Sequence, residues 1–344
     1  MIVERHEFAS DNTAPICPEA WAALQRANTD YAASYGEDRW TAAVCDRIRE
    51  IFETDCDVYF VFTGTAANAL ALAQVCQPFR SVVCHQNAHI QTDECGAPEF
   101  FTGGSKLVLV GGGNGKIDIG QTKGLLMRQN ELHSHRPGAI SIAQATEFGT
   151  VYMRDDIAAI AEIARTNQMV LHMDGARFAN AVASLNCVPR TITWEVGVDV
   201  LCFGGTKNGI AAGELVIFFN KEISREFDYR VKQAGQLGSK MRFLASAWLG
   251  LFAEDAWLRN ARHANRMANR LAQSLRSKGN LEVVSPVEAN SVFVRMNDQL
   301  VQGLQARGWR FYNFVEPDVY RLMCSWATKE SDVADFIRDI TQNH

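Results

Sequence analysis

Short apolar runs rich in valine, isoleucine and phenylalanine recur along the chain, with helix-like stretches between most of them. Apolar residues at three- and four-residue spacing predict helices over Ala66–Cys76, Asp156–Arg165 and Thr191–Val196. This alternation predicts βα units, and so an α/β fold with a mostly parallel sheet covered by helices on both faces. Seven strands are expected: Val58–Phe62, Ser81–Cys84, Lys106–Val110, Ala139–Ala143, Met169–His172, Val198–Phe203 and Glu214–Phe219. Because only a short glycine-rich loop separates the last two strands, we expect that pair to be antiparallel.

The pattern changes after Gly250. A long helical stretch from Ala256 to Lys278 is followed by three strand-like segments and a last helix: Asn290–Arg295, Trp309–Phe314, Tyr320–Ser325 and Ser331–Thr341. No repeat or long Pro/Gly/Ser linker separates the two patterns. We therefore expect a large domain over residues 1–249, packed against a smaller α+β domain over residues 250–344.

Composition and charge exclude several classes of protein. Hydrophobic residues make up 47% of the 344 positions, which is enough for a full core. The formal net charge of −5 argues against nucleic acid or an anionic membrane as the main partner. No apolar run approaches the roughly 20 residues of a membrane span, and the N-terminus lacks a signal pattern. The nine cysteines are scattered without a C-x-x-C, so we expect no disulfide framework and no metal site in a soluble, cytoplasmic protein.

The first candidate site is FTGTAANAL, residues 62–70, where a strand ends in a turn of small residues that opens an alanine-rich helix. Helix N-termini offer free N–H groups and the positive end of the dipole, which suit a phosphate. Gly64 permits close backbone approach, and the Thr65 hydroxyl can cap the helix or donate to a phosphate oxygen. An ordinary capped helix has the same pattern. The nearby GGGNGK, residues 111–116, fits no nucleotide-binding pattern and predicts a turn.

Two further polar positions follow predicted strands. Asp174 ends the strand in LHMDGAR, and Lys207 follows the strand in DVLCFGGTKNG. A lysine desolvated in a crevice can become a nucleophilic amine. A local ion pair of Asp174 with Arg177 and a solvent-exposed loop lysine are the simpler alternatives for each motif alone. In chain order, however, a phosphate turn, an acid and a lysine are what pyridoxal phosphate requires for its phosphate, its pyridine nitrogen and its Schiff base.

Four segments, FTGTAANALAL, NAHIQTDECGAPEF, HMDGARFANA and DVLCFGGTKNG, resemble the low-specificity L-threonine aldolases, fold-type-I pyridoxal phosphate enzymes. The resemblance runs from about Ser10 to Trp326 and is greatest to the bacterial subgroup with GGTKNG. It implies that Lys207 forms the Schiff base, that Asp174 holds the pyridine nitrogen and that His89 stacks on the ring. For His89, an ordinary loop histidine is the alternative. The resemblance also implies phosphate contacts from Gly64, Thr65 and Thr206.

The same resemblance implies residues that bind the substrate carboxylate. They are Ser10, Arg177 and Arg321, with Arg177 also beside the cofactor. An arginine fork matches a carboxylate in a bidentate way. Arg321 lies in an apolar strand, where an unpaired guanidinium is costly, so an internal ion pair is the alternative.

Two other stretches resemble segments that reach the site of a neighbouring subunit. One contains Tyr35, which is expected beside the substrate, and the other runs from Arg230 to Arg242. In the second, Lys232 and Arg242 are expected to assist the phosphate, although such charges more often form a solvated face. We therefore expect a homo-oligomer, and the family suggests a tetramer built as a dimer of dimers.

One position departs from the family pattern. Many relatives carry Glu-Asn-Thr-His before the aspartate strand, whereas residues 144–147 here read QATE, so no histidine is available there. His133, in the polar loop ELHSHR, and Asp93 are therefore the candidates for proton transfer, directly or through water. A plain loop residue is the alternative for His133.

The resemblance implies reversible cleavage of L-threonine, L-allo-threonine and other β-hydroxy-α-amino acids to glycine and an aldehyde. Such an enzyme takes a small amino acid as its substrate and has no nucleic-acid or membrane partner. Another fold-type-I activity, such as β-elimination or amino transfer, is the enzymatic alternative, because fold and cofactor do not decide which bond breaks. A non-catalytic ligand-binding scaffold is the alternative from a different class.

Overall fold

The computed structural model describes residues 6–128, 132–277, 281–314 and 316–342. The chain forms twelve strands within these ranges: β1 (His6–Glu7), β2 (Asp57–Val61), β3 (Arg80–His85), β4 (Lys106–Val110), β5 (Arg136–Ala143), β6 (Val170–Gly175), β7 (Val200–Gly204), β8 (Glu214–Phe218), β9 (Ser291–Arg295), β10 (Trp309–Arg310), β11 (Tyr312–Phe314) and β12 (Glu316–Met323).

The α-helices of the described residues follow the same chain order: α1 (Pro18–Ala27), α2 (Arg39–Phe52), α3 (Gly64–Val75), α4 (His89–Thr92), α5 (Ala97–Phe101), α6 (Ile119–Arg128), α7 (Arg154–Thr166), α8 (Phe178–Leu185), α9 (Phe227–Gln233), α10 (Arg242–Phe252), α11 (Ala256–Ser277), α12 (Asp298–Ala306) and α13 (Glu330–Thr341). None of these helices is both long enough and apolar enough to cross a membrane.

The main sheet has seven strands in the order β2-β8-β7-β6-β5-β3-β4. The strands β7, β6, β5, β3 and β4 run parallel, while β8 is antiparallel to both of its neighbours. This confirms the predicted α/β class, the mostly parallel seven-stranded sheet and the antiparallel final pair. The carboxyl ends of β5, β6 and β7 therefore meet at one edge of the sheet.

Both faces of the sheet are covered by helices. Because successive side chains of a strand point in opposite directions, neighbouring residues of one strand pack in different cores. On β7, Leu201 and Phe203 join the larger core, which also receives side chains of α2, α7, α8 and α10. Val200 and Cys202 point the other way and pack with side chains of α3 and α9. This parity places Asp174, the residue paired with Cys202, on the face covered by α3.

The C-terminal part has a core of its own around the sheet β11-β12-β9. The helix α11 joins the two parts, with Trp257 in the core of the main sheet and Met267 in the second core. The chain start also belongs here, since β1 pairs with β10 and Phe8 packs in the second core. The division at residues 249 and 250 stays a prediction, and the structure adds the first strand to the second core.

Two predicted elements were wrong in detail. The helix expected over Thr191–Val196 is a pair of short 3-10 turns, because Thr193 between them has φ −131° and ψ −112°. The single strand expected over Trp309–Phe314 is two strands that pair with different partners, β1 and β12. The other predicted strands and helices overlap observed ones, and Gly113–Gly115 forms the predicted turn.

Candidate active site

A cavity of about 310 Å³ lies at the carboxyl ends of the parallel strands. The main sheet contributes Ala143 and Asp174 to its wall, and the C-terminal part contributes the segment Tyr312–Phe314. Its position matches the crevice in which open α/β sheets bind their ligands. Eight of the fourteen predicted site residues line this cavity: Ser10, Gly64, His89, Asp93, Asp174, Arg177, Lys207 and Arg321.

Asp174 is buried at the end of β6 and is held by hydrogen bonds on both oxygens. The Ala176 amide donates to Oδ1 at 2.9 Å, and Asn68 Nδ2 of α3 donates to Oδ2 at 2.8 Å. Burial opposes ionisation, but His89, the Ala176 amide, Lys207 and Asn68 together hold the pKa of this carboxyl below its ordinary value. The site therefore contains a fixed carboxylate that can keep a cationic ring nitrogen protonated.

His89 and Glu94 extend this network. Glu94 is buried, and its Oε1 lies 2.9 Å from His89 Nδ1 and accepts from Asn68 Nδ2 at 2.8 Å. Burial lowers the pKa of His89, but the hydrogen bond to Glu94 and the charge of Asp174 raise it more, so the net pKa is above its ordinary value. These contacts fix the orientation of the imidazole at the cavity wall.

Lys207 lies in the 3-10 turn Thr206–Asn208 that follows β7, and its side chain lines the cavity. The preceding turn is anchored by Glu214 of β8, whose Oε2 accepts from the Gly205 amide at 2.5 Å. Gly205 is needed because a Cβ there would lie 2.5 Å from the Trp248 ring. The lysine is therefore delivered by a tightly packed turn rather than by a loose loop.

The start of α3 forms another part of the wall, through Gly64. Thr63, rather than Thr65, is the N-cap: its hydroxyl accepts from the Ala66 amide at 3.1 Å. A Cβ at Gly64 would meet nothing within 4 Å, so the backbone here is open to a ligand. The first N–H groups of a helix lack intrahelical partners, which suits an anion at this point.

The two arginines of the cavity differ in their partners. Arg177 forms a bidentate pair with buried Asp11, through Nε–Oδ2 at 2.8 Å and Nη2–Oδ1 at 2.9 Å. Arg321 Nε is buried and has no hydrogen-bond partner among the described residues. Its guanidinium lies 5.3 Å from the Phe314 ring centre. Burial, together with the like charge of Arg177, lowers the pKa of Arg321.

Four predicted residues lie away from the cavity wall of their own chain. Lys232 Nζ lies 4.6 Å above the Tyr35 ring, and Arg242 Nη1 donates to the Asp30 carbonyl at 2.9 Å. His133 is exposed in the loop before β5, at the amino end of a strand whose carboxyl end lines the cavity. The cavity roles expected of these residues stay predictions, as do those of Thr65 and Thr206 beside the wall.

Three acidic residues of the site were missing from the sequence-based set. Asp11 follows predicted Ser10, is buried and pairs with Arg177. Glu94 follows predicted Asp93 and, unlike Asp93, is buried and hydrogen-bonded to His89. Glu147, directly after β5, lines the cavity and accepts from the His89 amide at 2.9 Å. The sequence did offer a signal for Glu147, because it follows the predicted strand Ala139–Ala143.

Comparison with known proteins agrees with this geometry. Residues 7–299 match the family model described as beta-eliminating lyase. The low specificity L-threonine aldolase of Pseudomonas aeruginosa is 51% identical over 97% of this chain and 96% of its own length. The chain belongs to the threonine aldolase family.

Two further matches are consistent with this membership. The low specificity L-threonine aldolase of another Pseudomonas strain is 48% identical to this chain, over 99% of this chain and 98% of the relative. A solved structure of Leishmania major threonine aldolase superposes with a TM-score of 0.92 at 26% identity. That match covers 97% of this chain and 98% of the other, which confirms the fold-type-I class.

Proposed function

We propose that this chain is a pyridoxal-phosphate-dependent lyase. It cleaves L-threonine, L-allo-threonine and related β-hydroxy-α-amino acids to glycine and an aldehyde, and it catalyses the reverse addition. The observation that carries the proposal is one cavity that combines a lysine after β7, a fixed carboxylate at the end of β6 and an arginine whose buried Nε has no hydrogen-bond partner among the described residues. Family membership points to the same reaction.

The residues of the cavity fit the cofactor. Lys207 would attach to it covalently, Asp174 would pair with its ring nitrogen, and the open backbone at Gly64 would receive its phosphate. The His89 imidazole, whose orientation is fixed by Glu94, would contact the cofactor ring. When bound, pyridoxal phosphate supplies an electron sink for the bond that breaks at the substrate α carbon.

The substrate carboxylate would bind at Arg321. The buried Nε–H of Arg321 has no acceptor in the part of the chain that the structure describes, which is costly; a carboxylate would accept from it and compensate the charge. Arg177 lines the same cavity, but its charge is already compensated by Asp11. It would therefore contribute hydrogen-bond donors to the substrate carboxylate rather than net positive charge. Fixing the carboxylate also fixes rotation about the α carbon, which aligns the bond to be broken.

The predicted proton-transfer residues differ in access to this substrate. Asp93 lines the cavity as an exposed residue, and its Oδ2 accepts from the Thr92 hydroxyl at 2.7 Å. His133 lies outside the cavity of its own chain, so it could act only in the site of a neighbouring subunit.

We propose that Tyr35, Lys232 and Arg242 complete the site of a second subunit in a homotetramer. Support comes from Lys232, whose Nζ lies 4.6 Å from the centre of the exposed Tyr35 ring, away from the cavity of its own chain. Arg242 also lies away from that cavity, where it donates to the Asp30 carbonyl. A native mass of four chains is expected by light scattering. A monomer with full activity would overturn the proposal.

The activity is tested by product analysis. Purified protein supplied with the cofactor should release glycine and acetaldehyde in equal amounts from L-threonine, and borohydride should fix the cofactor on Lys207. An α-keto acid with ammonia would indicate β-elimination, and amino transfer to an added keto acid would indicate an aminotransferase. Protein that binds no cofactor would favour the non-catalytic scaffold.

A further inference from the structure

Glu147 is a cavity residue that the reaction outlined above leaves without a role. It follows the end of β5 and lines the cavity together with Lys207 and Arg321. Its Oε1 accepts from the His89 amide at 2.9 Å. Its Oε2 is buried and has no hydrogen-bond partner among the described residues.

A buried carboxylate oxygen without a donor is costly in the ligand-free protein. The cost is recovered when a ligand brings a hydroxyl to that oxygen. A β-hydroxy-α-amino acid held by Arg321 carries such a hydroxyl, one carbon beyond its α carbon. The cavity therefore offers an acceptor for the group that distinguishes this substrate from glycine.

The surroundings suit proton transfer near neutral pH. Burial is the main cause that raises the pKa of Glu147 to about 7, and the charge of Asp174 adds to it, while the His89 amide and ring oppose it. Proton acceptors are most effective when their pKa lies near the working pH. The charged and titratable groups around this carboxyl are Cys84, His89, Tyr152, Asp174, Arg177 and Arg321.

The other carboxylates of the cavity wall are less suitable. Asp174 is engaged on both oxygens by Ala176 and Asn68. Asp93 is exposed to solvent, and its Oδ2 already accepts from the Thr92 hydroxyl at 2.7 Å. Glu147 is thus the wall carboxylate with a free buried oxygen.

We propose that Glu147 is the catalytic base that takes the proton of the substrate β-hydroxyl, an assignment that rests on the proposed function. The O–H bond breaks and its proton passes to Glu147 Oε2. The electron pair of that bond forms the aldehyde C=O as the Cα–Cβ bond breaks. The electron pair of the Cα–Cβ bond stays with the α carbon, for which pyridoxal phosphate would supply the electron sink. In the reverse direction the same proton returns to the new hydroxyl.

The test compares Glu147→Gln with wild type, both loaded with cofactor. Two reactions are followed: aldehyde release from L-threonine, and exchange of the glycine α hydrogen with deuterium from solvent. The second reaction needs cofactor, Lys207 and carboxylate binding, but it involves no β-hydroxyl. We expect cleavage to fall about 10²–10⁴-fold, the range for loss of an acid–base group, while glycine exchange is retained.

The pH profile gives a second readout. Wild-type kcat/KM for cleavage should fall as pH drops through about 7, because the base is then protonated. Glu147→Gln should lose that limb, and Glu147→Asp should recover part of the activity together with the limb. Glu162→Gln, an exposed carboxylate paired with Arg165, is the matched control and should behave as wild type in both reactions.

Three results would overturn the assignment. Cleavage by Glu147→Gln within threefold of wild type would show that another group takes the proton. Equal loss of cleavage and glycine exchange would reduce Glu147 to a residue that positions His89. Wild-type protein that exchanges glycine but releases no aldehyde would refute the proposed function itself, and the assignment with it.

Discussion

Arg177 and Arg321 line the same cavity, but among the described residues only Arg177 forms an ion pair with a carboxylate. Arg177 has a bidentate carboxylate partner in Asp11, which in turn accepts from Asn290 Nδ2 at 3.0 Å. Arg321 lies beside the Phe314 ring, and its buried Nε has no hydrogen-bond partner within the described part of the chain. The first arginine is part of the structure of the site, and the second is available for a ligand.

The difference has an energetic meaning. Removing one member of a buried ion pair leaves an uncompensated charge, which is strongly destabilising. Removing the Arg321 side chain instead removes a buried N–H that has no acceptor among the described residues, which relieves a cost. In the ligand-free protein, loss of a charge from the Asp11–Arg177 pair should therefore lower the free energy of unfolding, whereas loss of the Arg321 charge should not.

Asp11→Ala should have the largest effect on stability. It leaves the Arg177 guanidinium buried without its carboxylate, and we expect the free energy of unfolding to fall by about 3–5 kcal/mol. Denaturant titration of the ligand-free protein measures it. Glu162→Gln, which breaks an exposed pair with Arg165, is the control and should cause no measurable change. An Asp11→Ala protein as stable as the control would show that the pair contributes nothing.

Asn290→Ala should weaken the same pair less. Asn290 Nδ2 donates to Asp11 Oδ2 and to the Cys324 carbonyl at 2.8 Å, so the change removes hydrogen bonds but leaves the ion pair. We expect a loss of about 1–3 kcal/mol in the same titration. A loss larger than that of Asp11→Ala would mean that the amide, rather than the ion pair, holds the site together.

Phe314→Leu should have the smallest effect, and it concerns Arg321. The guanidinium lies 5.3 Å from the ring centre, a distance at which a cation–π contact contributes about 0.5–1 kcal/mol. A double-mutant cycle with Arg321→Met separates this coupling from the packing of Phe314. A coupling energy of zero would show that the ring only fills space.

The sequence was sufficient for the main sheet because both faces of its strands are buried and their apolar runs are continuous. It did not indicate α10, which packs against α1 and α2 and is apolar on most sides. The pairing of β1 with β10 was also missed. Two residues carry no periodicity, and their partner lies about 300 positions away.

The site divides in a similar way. Asp174 and Lys207 were predictable because each follows a strand, and strand ends meet at one edge of a parallel sheet. Asp11 and Glu94 were not, since their importance lies in contacts with Arg177 and His89 that only the folded chain creates. His133 was named because residues 144–147 lack the histidine of the family pattern, and the fold places it in the loop before β5, at the amino end of that strand.

The central claim is that Arg321 binds the substrate carboxylate, whereas Arg177 is already paired with Asp11. It is tested most directly by kcat/KM of Arg321→Met for L-threonine, set against the unfolding free energy of the ligand-free variant. Loss of a charged hydrogen bond of about 1.5–3 kcal/mol predicts a 10–150-fold fall in kcat/KM, with stability unchanged or increased. An unchanged kcat/KM, or a destabilisation as large as that of Asp11→Ala, would contradict the account.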